Sequence, residues 1–253
     1  MDNSNLKAIL EKLYNKSISI DDALGHLKDL PFQDLGFAKI DHHRALRKGY
    51  PEVIFCQSKT PDQVVAIAKA QIEHGATVYG TRANSDVFDA VQKEIPSVEI
   101  DELGKVFWHK SSSWNIADKV HGEILICAAG TADLSVAREA QRTIEIIGHP
   151  CNVLSDVGVS GIHRLFAYKE LLQKAPVIIV IAGMEGALPS VIGGFVSCPV
   201  IAVPTSVGYG SHLNGLVPMF AMLNSCASGM TVVNIDNGFG AACAAVAINR
   251  VGL

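Results

Sequence analysis

Cys226 stands in the run Asn224-Ser225-Cys226-Ala227-Ser228-Gly229-Met230, among small residues that form hydrogen bonds. A cysteine is a nucleophile as its thiolate, and a polar setting favours that form. Cys127, Cys151, Cys198 and Cys243 lack such a setting and are expected to be inert buried thiols. Residues 186–235 contain no Asp, Glu, Lys or Arg. That stretch reads as the interior of a protein, or of an assembly, with one thiol held in a polar pocket. Glu185 stands alone at its edge. An unpaired buried carboxylate is costly, so Glu185 needs a partner or a task.

Three further clusters carry groups that bind or polarise a ligand. Gly130-Thr131-Ala132-Asp133 turns from a strand into a helix. Its backbone amides could cradle a phosphate at the helix start, or Thr131 or Asp133 could simply cap the helix. The turn is not G-x-G-x-x-G, so no dinucleotide fingerprint is present. Ser160-Gly161-Ile162-His163-Arg164 places an imidazole and a guanidinium at another helix start, where His163 has a structural alternative as a hydrogen-bonding residue. Ser206-Val207-Gly208-Tyr209-Gly210-Ser211 is either a ligand loop or a tight connection. Asp41-His42-His43-Arg44 with Arg47-Lys48 reads as a cationic loop on a solvated surface.

The elements that must hold these residues follow from hydrophobic period and punctuation. Leu6, Ile9, Leu10 and Leu13 form a helical stripe, and a short helix over 21–30 is stopped by Pro31. Strands are expected at 37–41, 52–56, 76–80 and 98–101. Helices are expected at 60–74, with Pro at the first position, and at 84–94. Residues 105–119 read as a connector holding both tryptophans, Trp108 and Trp114. Beyond it, apolar runs at 122–129, 152–159, 176–182, 199–203 and 231–235 alternate with helices, the last over 238–251. Continuous Val/Ile runs between helices predict a parallel sheet covered on both faces. Ligands bind beyond the carboxyl ends of such strands. The expected organisation is a small N-terminal α/β domain with connector over 1–119 and a catalytic core over 120–253.

Composition sets bounds. A net charge of −4 argues against a nucleic-acid partner. Prolines at 189, 199, 204 and 218 break the charge-free stretch into pieces shorter than the ~20 residues of a membrane helix. No apolar leader follows Met1, and the six cysteines show neither a C-x-x-C pair nor regular spacing. The expectation is a cytoplasmic protein with reduced thiols, no membrane association and no zinc site.

Residues 122–251 resemble the aminoimidazole ribonucleotide carboxylase/mutase family. The resemblance rests on Gly130-Thr131-Ala132-Asp133, Ser160-Gly161-Ile162-His163-Arg164 and Gly186-Ala187-Leu188-Pro189-Ser190. The last of these lacks the histidine of that family's turn. Nearly the whole chain is similar to the nickel-pincer cofactor biosynthesis carboxylase/hydrolase family. That similarity rests on residues 41–54, on Gly183-Met184-Glu185-Gly186-Ala187-Leu188-Pro189-Ser190 and on Asn224-Ser225-Cys226-Ala227-Ser228-Gly229. It implies a parallel three-layer αβα core of flavodoxin-like type. It implies carboxylation of the pyridinium ring of nicotinic acid adenine dinucleotide, with carbon dioxide as second substrate, and cleavage of the phosphoanhydride to release AMP. By analogy with the mutase fold, the chain is expected to form a homo-octamer.

Under this resemblance Cys226 is the nucleophile, and Glu185 or Asp133 the proton acceptor. Trp114 could stack on a ring. Thr131, Ser160, His163, Ser206 and Gly210 are expected to contact substrate, and Arg164 with the amides near Gly130 and Gly208 to stabilise the pyrophosphate. Mg²⁺ is inferred from the substrate alone, since no metal-ligand spacing is visible. A purine-pathway mutase and a non-catalytic nucleotide-binding module are the alternative readings. A mutase would carry the missing histidine, and in a binding module Cys226 would be dispensable.

Overall fold

The computed structural model describes residues 3–27, 32–42, 44–115, 117 and 119–252. The predicted end of the second helix, its Pro31 stop and His43 lie outside them. The chain divides into two compact units, Met1–Asn115 and Ile116–Leu253.

In the first unit, helices α1 (Asn3–Tyr14) and α2 (Ile20–Leu27) precede a short antiparallel pair, β1 (Gln33–Asp34) and β2 (Lys39–Ile40). Helix α3 (Arg44–Lys48), strand β3 (Val53–Phe55), helix α4 (Pro61–Glu73), strand β4 (Val78–Thr81), helix α5 (Ser85–Glu94) and strands β5 (Glu99–Asp101) and β6 (Val106–His109) complete it. Helix α4 begins as its sequence dictates. Thr60 caps it, Gln63 returns the hydrogen bond in a capping box, and Pro61 occupies the first turn. The four-stranded sheet runs β3-β4-β6-β5.

Two expectations change here. The supposed connector contains β6, which pairs antiparallel with both β4 and β5. Val106 and Phe107 are fully buried, and Trp108 Nε1 donates to Glu99 Oε1 at 3.0 Å. The run is only four residues long between polar flanks, so it is a strand by virtue of its pairing with the neighbouring β5 and the more distant β4. Part of the stretch read as a solvated cationic loop is instead packed, while Lys48 is exposed. His42 is buried and stacks on His74 with ring centroids 3.9 Å apart. Asp41 N donates to Glu52 Oε2 at 2.8 Å.

The second unit carries strands β7 (Ile124–Ala128), β8 (Cys151–Leu154), β9 (Ile178–Ala182), β10 (Val200–Pro204) and β11 (Met230–Val232). Helices α6 (Leu134–Ile147), α7 (His163–Phe166), α8 (Lys169–Lys174), α9 (Leu188–Gly193), α10 (Leu216–Leu223) and α11 (Gly238–Ile248) connect and cover them. All four strand pairings are parallel, in the order β11-β10-β9-β7-β8. Two apolar clusters flank the sheet. One joins Ile126, Ile179 and Ile201 to α6 and α11; the other joins Leu125, Ile178 and Val200 to Leu188, Ile192 and Met222. This is the doubly covered α/β architecture of flavodoxin-like type, accompanied by the N-terminal α/β unit.

Local chemistry sets several boundaries. Helix α6 ends at Gly148, which takes a left-handed φ of 95°. Strand β8 stops at Leu154, so residues 155–159 form a loop and not the rest of a strand. Helix α10 was not foreseen because Pro218 reads as a breaker, yet it falls within the helix's first turn, where proline is tolerated.

The β4–β6 contact leaves no space at Gly80. A Cβ there would come within 2.1 Å of the Phe107 ring. Gly80→Ala is therefore expected to destabilise the protein by about 1–3 kcal/mol, the usual cost of overpacking. Urea unfolding of the variant measures this, and an unchanged midpoint would contradict the packing.

Candidate active site

Parallel strands deliver their following loops to one edge of the sheet. The strand order equals 2-1-3-4-5 within the unit, and its connections reverse direction between β7 and β9. The loops after these strands diverge there and leave a crevice. A cleft of about 470 Å³ occupies that place. Its walls are residues 129–133 after β7, Asp156 and 158–160 after β8, residues 182–185 with Ala187 and Leu188 after β9, and Val207 after β10.

Close backbone approach shapes the cleft. A Cβ on Gly158 would lie 2.8 Å from Ala129 O, and one on Gly183 would lie 2.2 Å from Val207 O. Met184 N donates to Val207 O at 2.9 Å, which ties the loop after β9 to the loop after β10. Met184 itself has a φ of 50°, an unfavourable region for a side-chain-bearing residue.

Asp133 is the buried carboxylate of the cleft, 3% exposed. Its Oδ1 accepts from Thr205 Oγ1 at 2.7 Å and its Oδ2 from Gly130 N at 2.9 Å. Burial pushes the carboxyl above its ordinary value, and the nearby Asp236 charge adds to that. The two donors pull the other way without overcoming desolvation. The Gly130 amide is thus engaged by Asp133 and not free for a phosphate.

Thr131, Ser160 and Glu185 are exposed and face the same cleft. The exposure of Glu185 corrects the premise of a buried, costly carboxylate. The turn after β9 lifts it to the rim, where water solvates it. The described lining holds three carboxylates, Asp133, Asp156 and Glu185, and no Lys or Arg. Arg164 is half-buried and forms an ion pair with Asp156, while its Nε donates to Gly161 O at 3.3 Å. His163 is exposed in the first turn of α7 and is not part of the lining.

Ser206, Gly208 and Gly210 lie on the loop after β10, outside the lining, and Ser206 N donates to Asp236 Oδ1 at 2.8 Å. Trp114 belongs to the first unit, with the Lys110 ammonium 3.7 Å from its ring centroid.

Cys226 lies on the loop between α10 and β11 and is exposed, the exposed one among six free cysteines. The interior position expected for it is not what a single chain presents. It does not line the cleft, but its loop is connected to it. Ser225 Oγ and Ser190 Oγ are 2.8 Å apart, and Ser190 belongs to α9, whose entry residues Ala187 and Leu188 wall the cleft. Burial raises Cys56, Cys127 and Cys151 to about 12, which leaves these thiols protonated and inert.

Residue-level reading missed Asp156 and Thr205. Asp156 is hidden because the run over 152–159 reads as one strand. The strand-end turn Ser155-Asp156-Val157-Gly158 was the signal available. Thr205 had no local signal, because its partner Asp133 is 72 residues away. Among the described residues no cluster of three or more His, Cys, Asp or Glu could hold a metal ion, and no helix is long and apolar enough to cross a membrane.

The raised Asp133 carboxyl has a consequence for stability. Between its ordinary value and its raised native value the folded state binds the extra proton, so this group's contribution falls as pH rises and is lost above the native value. In urea unfolding from about pH 4 to 7, wild type is expected to gain stability relative to Asp133→Asn on acidification. Parallel pH profiles for the two proteins would refute the assignment.

Comparison with known proteins agrees with this architecture. Residues 32–111 match the LarB/PurE-like N-terminal domain, and residues 123–252 match AIR carboxylase. An uncharacterized protein of Methanocaldococcus jannaschii is 37% identical over 245 residues, covering 94% of each chain. The N5-carboxyaminoimidazole ribonucleotide mutase of Pyrococcus horikoshii is 32% identical over 127 residues, which is 49% of this chain and 70% of that protein. A five-stranded parallel core with its cleft at the switch point, joined to this N-terminal domain, places the chain in the AIR carboxylase family, among its LarB-like carboxylases.

Proposed function

We propose that this protein carboxylates the pyridinium ring of nicotinic acid adenine dinucleotide and hydrolyses its phosphoanhydride. The products are pyridinium-3,5-biscarboxylic acid mononucleotide and AMP, the start of nickel-pincer cofactor synthesis. Family membership points to carboxylase or mutase chemistry on a nucleotide, and the N-terminal match favours the LarB-like branch over purine synthesis. The observation that carries the reading is the setting of Cys226. It is the exposed thiol of the chain, on a loop bonded through Ser225 to the helix that begins at the cleft wall. An acid-rich lining without Lys or Arg also suits a cationic ring.

The chemistry requires a nucleophile because a pyridinium ring is too electron-poor to attack carbon dioxide. The Cys226 thiolate adds to the ring carbon para to nitrogen and gives a dihydropyridine. The adjacent meta carbon is then enamine-like and attacks carbon dioxide. A base removes the proton from that carbon, and expulsion of the thiolate restores aromaticity. Asp133 suits the base role because its raised affinity for a proton makes it a stronger acceptor than an ordinary carboxylate. Glu185, on the rim, is the alternative acceptor.

The second half-reaction needs positive charge or donors at the pyrophosphate. Arg164 is the cation nearest in sequence to the cleft walls, already paired to Asp156. The described residues do not fit a resident metal site, so no step is routed through Mg²⁺. It enters only as an ion carried by the pyrophosphate.

The proposal includes assembly into an octamer. On α10, Leu216, Phe220 and Leu223 recur at helical spacing and are exposed, and Tyr209 and Leu213 on the preceding segment are exposed too. A contiguous apolar face of this kind marks an interaction surface, and the charge-free stretch supplies no ionic group to solvate it. Light scattering is expected to give an octamer. A monomer at micromolar concentration would sink the assembly.

The activity is tested by mass spectrometry of products formed from nicotinic acid adenine dinucleotide and bicarbonate. Wild type should release AMP and the dicarboxylated mononucleotide. Cys226→Ser should lose ring carboxylation by on the order of a thousandfold or more, since a serine hydroxyl is far less ionised than a thiol. Some phosphoanhydride cleavage should survive. Wild-type carboxylation by Cys226→Ser would end the thiol mechanism.

A further inference from the structure

The loop after β10 contains a donor with nothing to bind. His212 is 6% exposed, and its Nδ1 accepts from Gly215 N at 3.2 Å. A backbone amide can only donate, so Nδ1 carries no proton and the ring's proton is on Nε2. Nε2 is buried and has no hydrogen-bond partner among the described residues. Native proteins rarely leave such a group unsatisfied, because an unmet buried donor forfeits its hydration for nothing.

The position of this donor relates it to the cleft. Val207 is a cleft wall, and the next residue, Gly208, covers the imidazole. A Cβ on Gly208 would lie 2.3 Å from His212 Cδ2 and 2.7 Å from Nε2. The backbone of Gly208, itself exposed, packs against that edge of the ring. The ring is anchored from the other side by a segment in which Leu213, Asn214 and Gly215 take left-handed φ of 53°, 51° and 95°. Two consecutive side-chain-bearing residues in that region are costly, and such conformations cluster at ligand clamps.

We infer that His212 is a substrate-binding residue: its Nε2–H donates to a ring carboxylate oxygen of a pyridinium carboxylate when Gly208 shifts aside. This rests on the proposed function for the identity of the ligand. The choice of acceptor follows from charge. Residues 186–235 bring no cation to this loop, so a free phosphate would be buried there without a counter-charge. A pyridinium carboxylate carries its own positive charge, and a neutral N–H is then a sufficient partner for its oxygen.

The test uses the whole chain, with nicotinic acid mononucleotide and AMP as probes. In ¹⁵N-correlated spectra of the histidine rings, His212 is expected as the Nε2–H tautomer. Its proton should move downfield when nicotinic acid mononucleotide is added and stay in place with AMP. His212→Phe removes the orphan donor while keeping a ring. It also removes the acceptor of the Gly215 N–H, so it should melt at or below the wild-type temperature, and it should bind nicotinic acid mononucleotide about tenfold more weakly. A merely structural histidine would show a lower melting temperature with unchanged affinity, and that unchanged affinity would overturn the inference. So would an Nε2–H that responds to neither probe while the mononucleotide binds, since an ordered water would then satisfy it. An equal response to AMP would reassign the acceptor to phosphate and overturn the carboxylate assignment. If wild type binds neither probe, the substrate reading itself falls, and this inference with it. Unchanged affinity in His212→Phe leaves the substrate reading standing and removes this inference alone.

Discussion

One buried carboxylate holds the cleft in shape. Asp133 follows β7 and Thr205 follows β10, and β9 lies between those strands. The Thr205–Asp133 hydrogen bond therefore spans the loop after β9, and the Gly130–Asp133 bond turns the chain back into α6. Each bond pulls the carboxyl toward its ionised form, while burial pulls harder the other way. A group in that balance organises the walls of the cleft. Structural and chemical demands on it cannot be separated by burial alone.

The sheet beneath makes that arrangement possible. Strands β7, β9 and β10 are buried along their whole length on both faces. Each fully buried Val, Ile or Leu side chain stabilises by about 1.5–3 kcal/mol relative to exposure, so these strands do not shift to accommodate a ligand. Adaptation is left to the loops. They carry the unusual backbone of the second unit, at Asp156, Met184, Leu213, Asn214 and Asp236. Rigid strands below and strained loops above are a common division of labour in α/β proteins.

The absence of charge from residues 186–235 has two different physical origins. The first part builds β10 and the helix that covers the sheet, where charge would be buried without a partner. The second part presents α10 with Phe220 and Leu223 exposed, next to the loop that carries Cys226. Composition alone does not separate these cases, since an apolar residue reads the same in sequence whether the fold buries it or leaves it exposed.

Local pattern was enough for the parallel core. Val/Ile runs alternating with helices specify buried parallel strands, because only strands covered on both faces are apolar at consecutive positions. The start of α4 with Pro61 in its first turn was likewise legible, since helix starts depend on neighbours within a few residues. The suspicion about Cys226 came from its immediate neighbours in the same way. What tertiary structure alone decided lies at longer range. Strand β6 exists because β4 and β5 flank it, and His42 is buried because His74 stacks on it. Glu185 is exposed because its turn lifts it clear of an apolar stretch, and Thr205 meets Asp133 across an intervening strand. His212 Nε2 has no partner among the described residues because folding buried it beside Gly208. Hydrogen-bond satisfaction and burial are sums over residues far apart in the chain, so the sequence nominates the groups and only the fold assigns their partners.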